Sequence, residues 1–398
     1  MTAPAMTSGS ATYRDIFGVL EFRVLAALQT LLVGGEAIRI IALSVLTFQQ
    51  TGSSLAAAVV FAAGMLPYVV GGAVLLSLAD RFPGRRLLAA FHLLRFAVIS
   101  VFALDVVPLP VTILLLVVVG LFAPVGSAAM HGRLPALLPG EGYVLGRSLF
   151  TMTAACSQVV GQGVGGLLLS VLTPSGTLWL AAGSAALAAL VAHLGLPDTV
   201  AKRSESGGTA RETWRVNRIL LGGRVTRGLL LAGWLPISLS VGAEGVLVPY
   251  ATGLGRAGSA GLILASAAIG MGLGNFVVGR FVPPGLRARL TLPLATLTGL
   301  PLLFFAADPG LVAACALMAA ATFGLSYELT VQRRLVDAAA EEVRGQAMGL
   351  ANTGLMTGQA LGIAGAGALA EFVAPGPVIA VCGAAAVVAS LALHRYLR

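Results

Sequence analysis

Twelve apolar runs, each close to the length that crosses a bilayer, occupy most of this 398-residue sequence, near 24–48, 55–79, 87–106, 109–130, 148–172, 177–195, 228–250, 259–282, 290–306, 310–329, 346–370 and 376–394. A spanning helix needs about 20 mostly apolar residues. In hydrocarbon every backbone N–H and C=O must be bonded within the protein, so runs of this kind form helices or closed barrels. A barrel strand would be shorter and would alternate apolar with polar residues, which these runs do not. Charged residues make up 10% of the chain, against about 25% in soluble domains, so lipid must solvate much of the surface. The expected fold class is an all-α integral membrane protein of twelve transmembrane helices.

The basic residues test this threading. With twelve spans and a cytoplasmic N-terminus, all 25 Lys and Arg except Arg39, Arg95 and Arg256 fall in segments on one side. The segments on the other side are short and carry Asp105, Asp308, Glu371 and Arg256. Cytoplasmic loops are enriched in Lys and Arg, and one miscounted span would invert everything after it. The N- and C-termini are therefore expected in the cytoplasm. The Arg-heavy, Ala/Gly-rich usage points to a bacterial chain, hence to the inner (plasma) membrane. The polar first residues show no apolar stretch of the signal-peptide type.

The longest polar segment, 196–227, divides the spans six and six, giving an N-terminal six-helix bundle over 1–195, a cytosolic linker and a C-terminal six-helix bundle over 228–398. The halves share features in one order. Arg147, Gly161, Gln162 and Gly165 of span 5 align with Arg344, Gly358, Gln359 and Gly362 of span 11, at an offset of 197. Arg81-Phe82 aligns with Arg280-Phe281, and Val33–Glu36 (VGGE) with Val241–Glu244 (VGAE). Two six-helix repeats related by an axis along the membrane normal suit a transporter whose site lies between them.

Several function classes are poorly served. The net charge of +9 sits in loops without the aromatic interleaving of a nucleic-acid groove, so no nucleic-acid partner is expected. No GxxxxGK[ST] loop occurs and the chain has a single lysine, Lys202, which argues against an ATPase. His92, His131, His193 and His394 lack metal-ligand spacing. Cys156, Cys315 and Cys382 lie in apolar spans and read as small buried hydrophobes. No enzyme activity, metal or cofactor is expected.

Ionisable residues inside spans are costly and point to function. Glu36 is central in span 1, with Arg39 three residues on and Gln29 seven residues before it on the same stripe, which should face a central aqueous cavity. Competition between a proton and Arg39 would make Glu36 a proton-coupling group; the alternative is a structural ion pair. Glu244, in span 7, has no arginine three or four residues away and could carry a proton or face a cationic ligand. Arg95, in span 3, could pair with Glu36, bind an anionic substrate group or snorkel to the surface. Glycines spaced by four, such as Gly161 and Gly165, or Gly354, Gly358 and Gly362, form faces for close helix packing.

The segment Leu78-Ala79-Asp80-Arg81-Phe82-Pro83-Gly84-Arg85-Arg86 resembles the loop between helices 2 and 3 of the major facilitator superfamily, G-x-L-A-D-R-x-G-R-R. The opening EFRVLAALQTLLVGGEAIRIIALSVLTFQQTGSSLAAA resembles the first helix and loop of its drug-exporting branch, which includes macrolide exporters. Gly161-Gln162-Gly163-Val164-Gly165-Gly166 resembles that branch's antiporter motif, with Gln162 at the proline position. The resemblance implies two pseudo-symmetric six-helix bundles and a proton-coupled exporter of a drug-like or natural-product molecule. A proton-coupled importer of a small nutrient and a non-transporting membrane sensor are the alternatives. It also implies a latch that closes the cytosolic side, built from Asp80, Arg81, Arg85 and Arg86 against the start of span 11 at Arg344. The expected partners are a small-molecule substrate, protons and membrane lipid, and the expected state is a monomer.

Overall fold

A computed structural model of the protein describes residues 13–75, 82–138, 141–198, 210–255, 259–340 and 343–398, and among them the backbone is helical with no strand. Eleven helical stretches are long and apolar enough to cross a membrane: spans 1–6 over Leu20–Thr51, Ser54–Gly72, Gly84–Ala103, Leu109–His131, Leu145–Val171 and Pro174–Gly195, spans 7–10 over Arg224–Gly253, Ser259–Phe281, Gly285–Ala307 and Leu311–Ala338, and span 12 over Pro375–Ala392. Span 11 is the 26-residue helix Arg344–Leu369. It is less apolar because Gln346, Asn352, Thr353, Thr357 and Gln359 interrupt it. Span 10 continues well beyond its apolar run because Gln332, Arg333, Arg334 and Asp337 prolong it as an amphipathic helix.

Local chemistry explains the helix ends. Proline opens spans 6 and 12, where its missing N–H has no intrahelical partner to lose. Ser53 caps span 2 by accepting from Ala56 N–H, and Thr173 caps span 6 through Gly176 N–H. Gly52 takes the left-handed conformation after span 1, with φ of 65°. Asp105 and Asp308 are the two non-glycine residues with positive φ among the described residues. They end spans 3 and 9, the same place in each half, and aspartate tolerates this region better than most residues.

Glycine contacts define how the helices approach. A Cβ at Gly161 would lie 2.6 Å from the carbonyl oxygen of Gly34, and one at Gly165 would lie 3.3 Å from Ile38 Cα, so span 5 lies directly on span 1. In the other half, Gly358 and Gly362 of span 11 meet Ser238 of span 7, and Gly362 also faces Gly242. These contacts correct the repeat register in spans 1 and 7. Ser238 occupies the place of Gly34–Ile38, so Glu244 lies further along span 7 than the counterpart of Glu36. The shared VGxE letters do not mark equivalent positions.

The bundles meet toward the face opposite the chain termini. A Cβ on Gly261 of span 8 would lie 2.3 Å from Gly166 Cα of span 5, and one on Gly367 of span 11 would lie 2.4 Å from Ala58 Cβ of span 2. The pairs 5–8 and 11–2 exchange under the repeat, as a two-fold relation requires. Ile41, Val45, Ala58, Phe61 and Ala62 of the first bundle join a core otherwise built from the second. By contrast, the core at the terminal face of the first bundle, around Phe22, Leu25, Leu88, Met130 and Phe150, draws on first-bundle residues alone.

The segment joining the bundles is more ordered than a plain linker. Ala210–Gly222 is an amphipathic helix, with Val216 and Leu220 buried and Arg215 and Arg218 outward. Gln346 Nε2 donates to Asn217 Oδ1 at 3.2 Å, which ties it to the start of span 11. Cys156, expected to be buried, is exposed on span 5, since no neighbouring helix covers that face beside Met152 and Val160.

Candidate functional site

Span 1 is unbroken for 32 residues and carries Glu36 at its centre. The i,i+3 spacing puts Arg39 on the same face. Arg39 Nε donates to Glu36 Oε2 at 3.1 Å and its Nη2 to Oε1 at 2.5 Å. Arg95, from span 3, donates through Nη2 to Glu36 Oε2 at 3.2 Å and to the Leu32 carbonyl at 3.4 Å. One carboxylate therefore serves two guanidinium groups. The side chains of Arg39 and Arg95 are 7% and 2% exposed, whereas that of Glu36 is 35% exposed. The arginines form the back of the site and the carboxylate its accessible front.

The cluster is not fully satisfied. Among the described residues, Arg39 Nη1 and Arg95 Nη1 are buried without a partner, as are both ring nitrogens of His92, one turn before Arg95. Unpaired buried polar groups cost free energy and call for an explanation. Gln29, expected to line a cavity, is 7% exposed with Oε1 unpartnered, so it lies within the first bundle instead.

The glycine motif of span 5 grips the turn that bears Glu36. Gly161 and Gly165 pack on Gly34 and Ile38, either side of it, while Gly166 is the contact to Gly261 in the other bundle. Span 5 therefore touches both the turn that bears Glu36 and span 8 of the other bundle within six residues. Gln162 Oε1 is buried without a partner among the described residues.

The other expected residues are placed elsewhere. Asp80 and Arg81 lie outside the described residues. Arg86 pairs with Asp198 at the end of span 6, Nη2 to Oδ2 at 2.9 Å, and Arg344 donates from Nε to the Val336 carbonyl at 3.1 Å. Both contacts stay within one bundle. Arg85 is half-buried at the start of span 3. Glu244 sits in a 3-10 segment, Gly242–Val246, that interrupts span 7, and faces spans 9 and 10 of its own bundle rather than the first bundle.

Two contacts were not foreseen from the sequence. Arg133 Nε donates to Glu21 Oε1 at 2.6 Å, joining span 4 to the start of span 1. Glu371 Oε1 accepts from Ser53 Oγ at 2.8 Å and from Leu55 N–H at 2.7 Å, bridging the bundles opposite the terminal face. The one signal for Glu371 is an acid in a short loop otherwise poor in charge.

Known proteins share this organisation. Tap multidrug efflux pumps are similar in sequence: that of Mycolicibacterium fortuitum is 26% identical over 85% of this chain and 86% of its own length, and that of Mycobacterium bovis BCG is 25% identical over 85% and 84%. In structure, the nucleoside transporter NupG, in a mutant form, matches with a TM-score of 0.79 at 14% identity over 95% of this chain and 99% of its own. A D-xylose–proton symporter matches with a TM-score of 0.71 at 16% identity over 96% and 98%. A bacterial ferroportin homologue in an inward-facing state also gives 0.71 at 16% identity, over 96% and 99%. The family model of the Major Facilitator Superfamily matches residues 25–332. This chain, a multi-pass membrane transporter rather than an enzyme, belongs to the major facilitator superfamily.

Proposed function

We propose that the protein exports a drug-like or natural-product molecule in exchange for protons, with Glu36 as the coupling group. The observation that carries this is the shared Glu36 carboxylate: accessible itself, and pinned by two buried arginines from two different spans. Export is favoured by the likeness to the Tap efflux pumps, and few polar groups near Glu36 suit an amphipathic ligand.

The basic terminal face is read as cytoplasmic. The bundles then meet on the outer side, and in this reading that is the inward-open arrangement. A proton on Glu36 removes the charge that holds Arg39 and Arg95. The turn gripped by Gly161 and Gly165 is then free to shift, and span 5 carries the change to the Gly166–Gly261 contact. A proton that binds the two arrangements unequally shifts their populations, and alternating access follows. The segments around 80–86 and 344 would close the cytoplasmic side in the opposite state.

Steady-state accumulation of a fluorescent hydrophobic cation, in cells with and without the protein, tests the direction. The proposal requires lower accumulation with the protein and loss of that difference on adding a protonophore. Higher accumulation would reverse the direction and make the protein an importer.

A further inference from the structure

The second bundle contains a cavity separate from Glu36. Spans 7, 9 and 10 each leave α-helical geometry, at Gly242–Val246, after Leu297 and at Gly324–Tyr327, and the residues at or beside these breaks line one space: Ser240, Glu244, Thr298, Thr322 and Leu325 among them. Irregular backbone at membrane depth is tolerated where it is buried in protein or lines a cavity, and broken helices are where transporters coordinate coupling ions. The space admits about one water-sized guest, far too little for a drug-like substrate.

The hydroxyl hydrogens around this cavity are already committed. Ser240 Oγ donates to Ile237 O at 3.0 Å and Thr298 Oγ1 to Ala295 O at 2.7 Å, while Thr322 turns its hydroxyl away, to Ala267 O of span 8 at 2.6 Å. Their oxygens are left only to accept. The Glu244 carboxylate has no hydrogen-bond or ion-pair partner among the described residues, and it is the single charged group lining the space. Hydroxyl oxygens whose hydrogens are committed, beside the one charged group that lines the space, a carboxylate, suit a small cation. Charge balance makes that cation monovalent, since a divalent ion would leave a buried positive charge. A neutral water would leave the carboxylate unmatched unless Glu244 itself held a proton, the outcome that the pH arm of the test below separates from a cation.

We propose that Glu244, Ser240 and Thr298 form a binding site for a sodium-sized monovalent cation, independent of the Glu36 cluster. The test is the melting temperature of the purified full-length protein, titrated at constant ionic strength with sodium, potassium or choline chloride. Sodium should raise it saturably while choline does not. At 100 times Kd the folded-to-unfolded ratio should rise about 100-fold. Glu244→Gln should abolish the response and Glu36→Gln should keep it. If Glu244→Gln does not fold, Thr298→Val and Ser240→Ala, which keep the carboxylate, should each weaken sodium severalfold. Equal melting in all three salts, a sodium response that survives Glu244→Gln, or stabilisation that follows pH but not sodium would each overturn the site.

Discussion

Glu371 caps the start of span 2 from the opposite bundle: its Oε1 accepts the Leu55 N–H at 2.7 Å, 316 residues away in the chain. A carboxylate at a helix N-terminus is favoured by the helix dipole and by otherwise unpaired N–H groups. This contact, reinforced by the Ser53 hydroxyl, fastens the side on which the bundles meet.

The Leu55 N–H, and after it the Ser53 hydroxyl, hold the Glu371 carboxyl below its ordinary value. A group with a lowered value in the closed state stabilises that state above the ordinary carboxylate range, and the stabilisation is lost as pH falls through its own lowered value. The contact should therefore be intact at neutral pH and released by acid below the usual carboxylate value of about 4. Hydrogen exchange of the peptide containing Leu55 should quicken on acidification, after correction for intrinsic rates. Glu371→Ala should exchange fast at every pH; protection that persists in this variant would show that the contact carries no closure.

The Gly166–Gly261 contact leaves no room for a side chain. Overpacking costs about 1–3 kcal/mol, which corresponds to a shift of roughly 5- to 150-fold between two states. Gly261→Val should move the population away from the closed outer side by about that factor. Transport should fall, and a cysteine introduced on span 8 beside the contact should react faster with an impermeant thiol reagent. Unchanged labelling would place the pivot elsewhere.

The Glu36 cluster holds one negative and two positive groups, so its members should differ in the cost of removal. Glu36→Gln leaves Arg39 and Arg95 buried without a counter-charge, and breaking a buried pair in this way costs about 3–5 kcal/mol. Arg95→Met leaves Glu36 matched by Arg39 and should cost clearly less. Melting temperatures should therefore rank wild type, Arg95→Met, Glu36→Gln from highest to lowest. The reverse order for the two variants would mean that Arg39 alone does not satisfy the Glu36 carboxylate and that Arg95 is its principal partner.

Much of the fold was legible in the sequence because hydropathy and charge asymmetry act over a single span, where burial in lipid decides the conformation. The Glu36–Arg39 pair was legible for the same local reason, an i,i+3 spacing, whereas for Arg95 the scarcity of mid-span charge offered Glu36 only as one option beside an anionic substrate group and snorkelling. What depends on meeting across the bundles was not legible. The Glu371–Leu55 bond joins two loops whose sequences give no sign of each other. The equivalence of spans 1 and 7 was misread because VGGE and VGAE match in letters, while packing follows the glycine faces of spans 5 and 11. The breaks at Gly242–Val246, after Leu297 and at Gly324–Tyr327 fall within apolar runs that read as continuous helices, and only their convergence on one cavity gives them meaning.

Proton movement in proteoliposomes tests proton-coupled export through Glu36 most directly. Purified protein would be reconstituted with a preset pH gradient, internal pH followed with a dye, and a panel of hydrophobic drugs and natural products added. The account predicts substrate-dependent dissipation of the gradient by the wild type and none by folded Glu36→Gln. Dissipation by Glu36→Gln at the wild-type rate, or substrate movement by the wild type that is indifferent to the gradient, would contradict it.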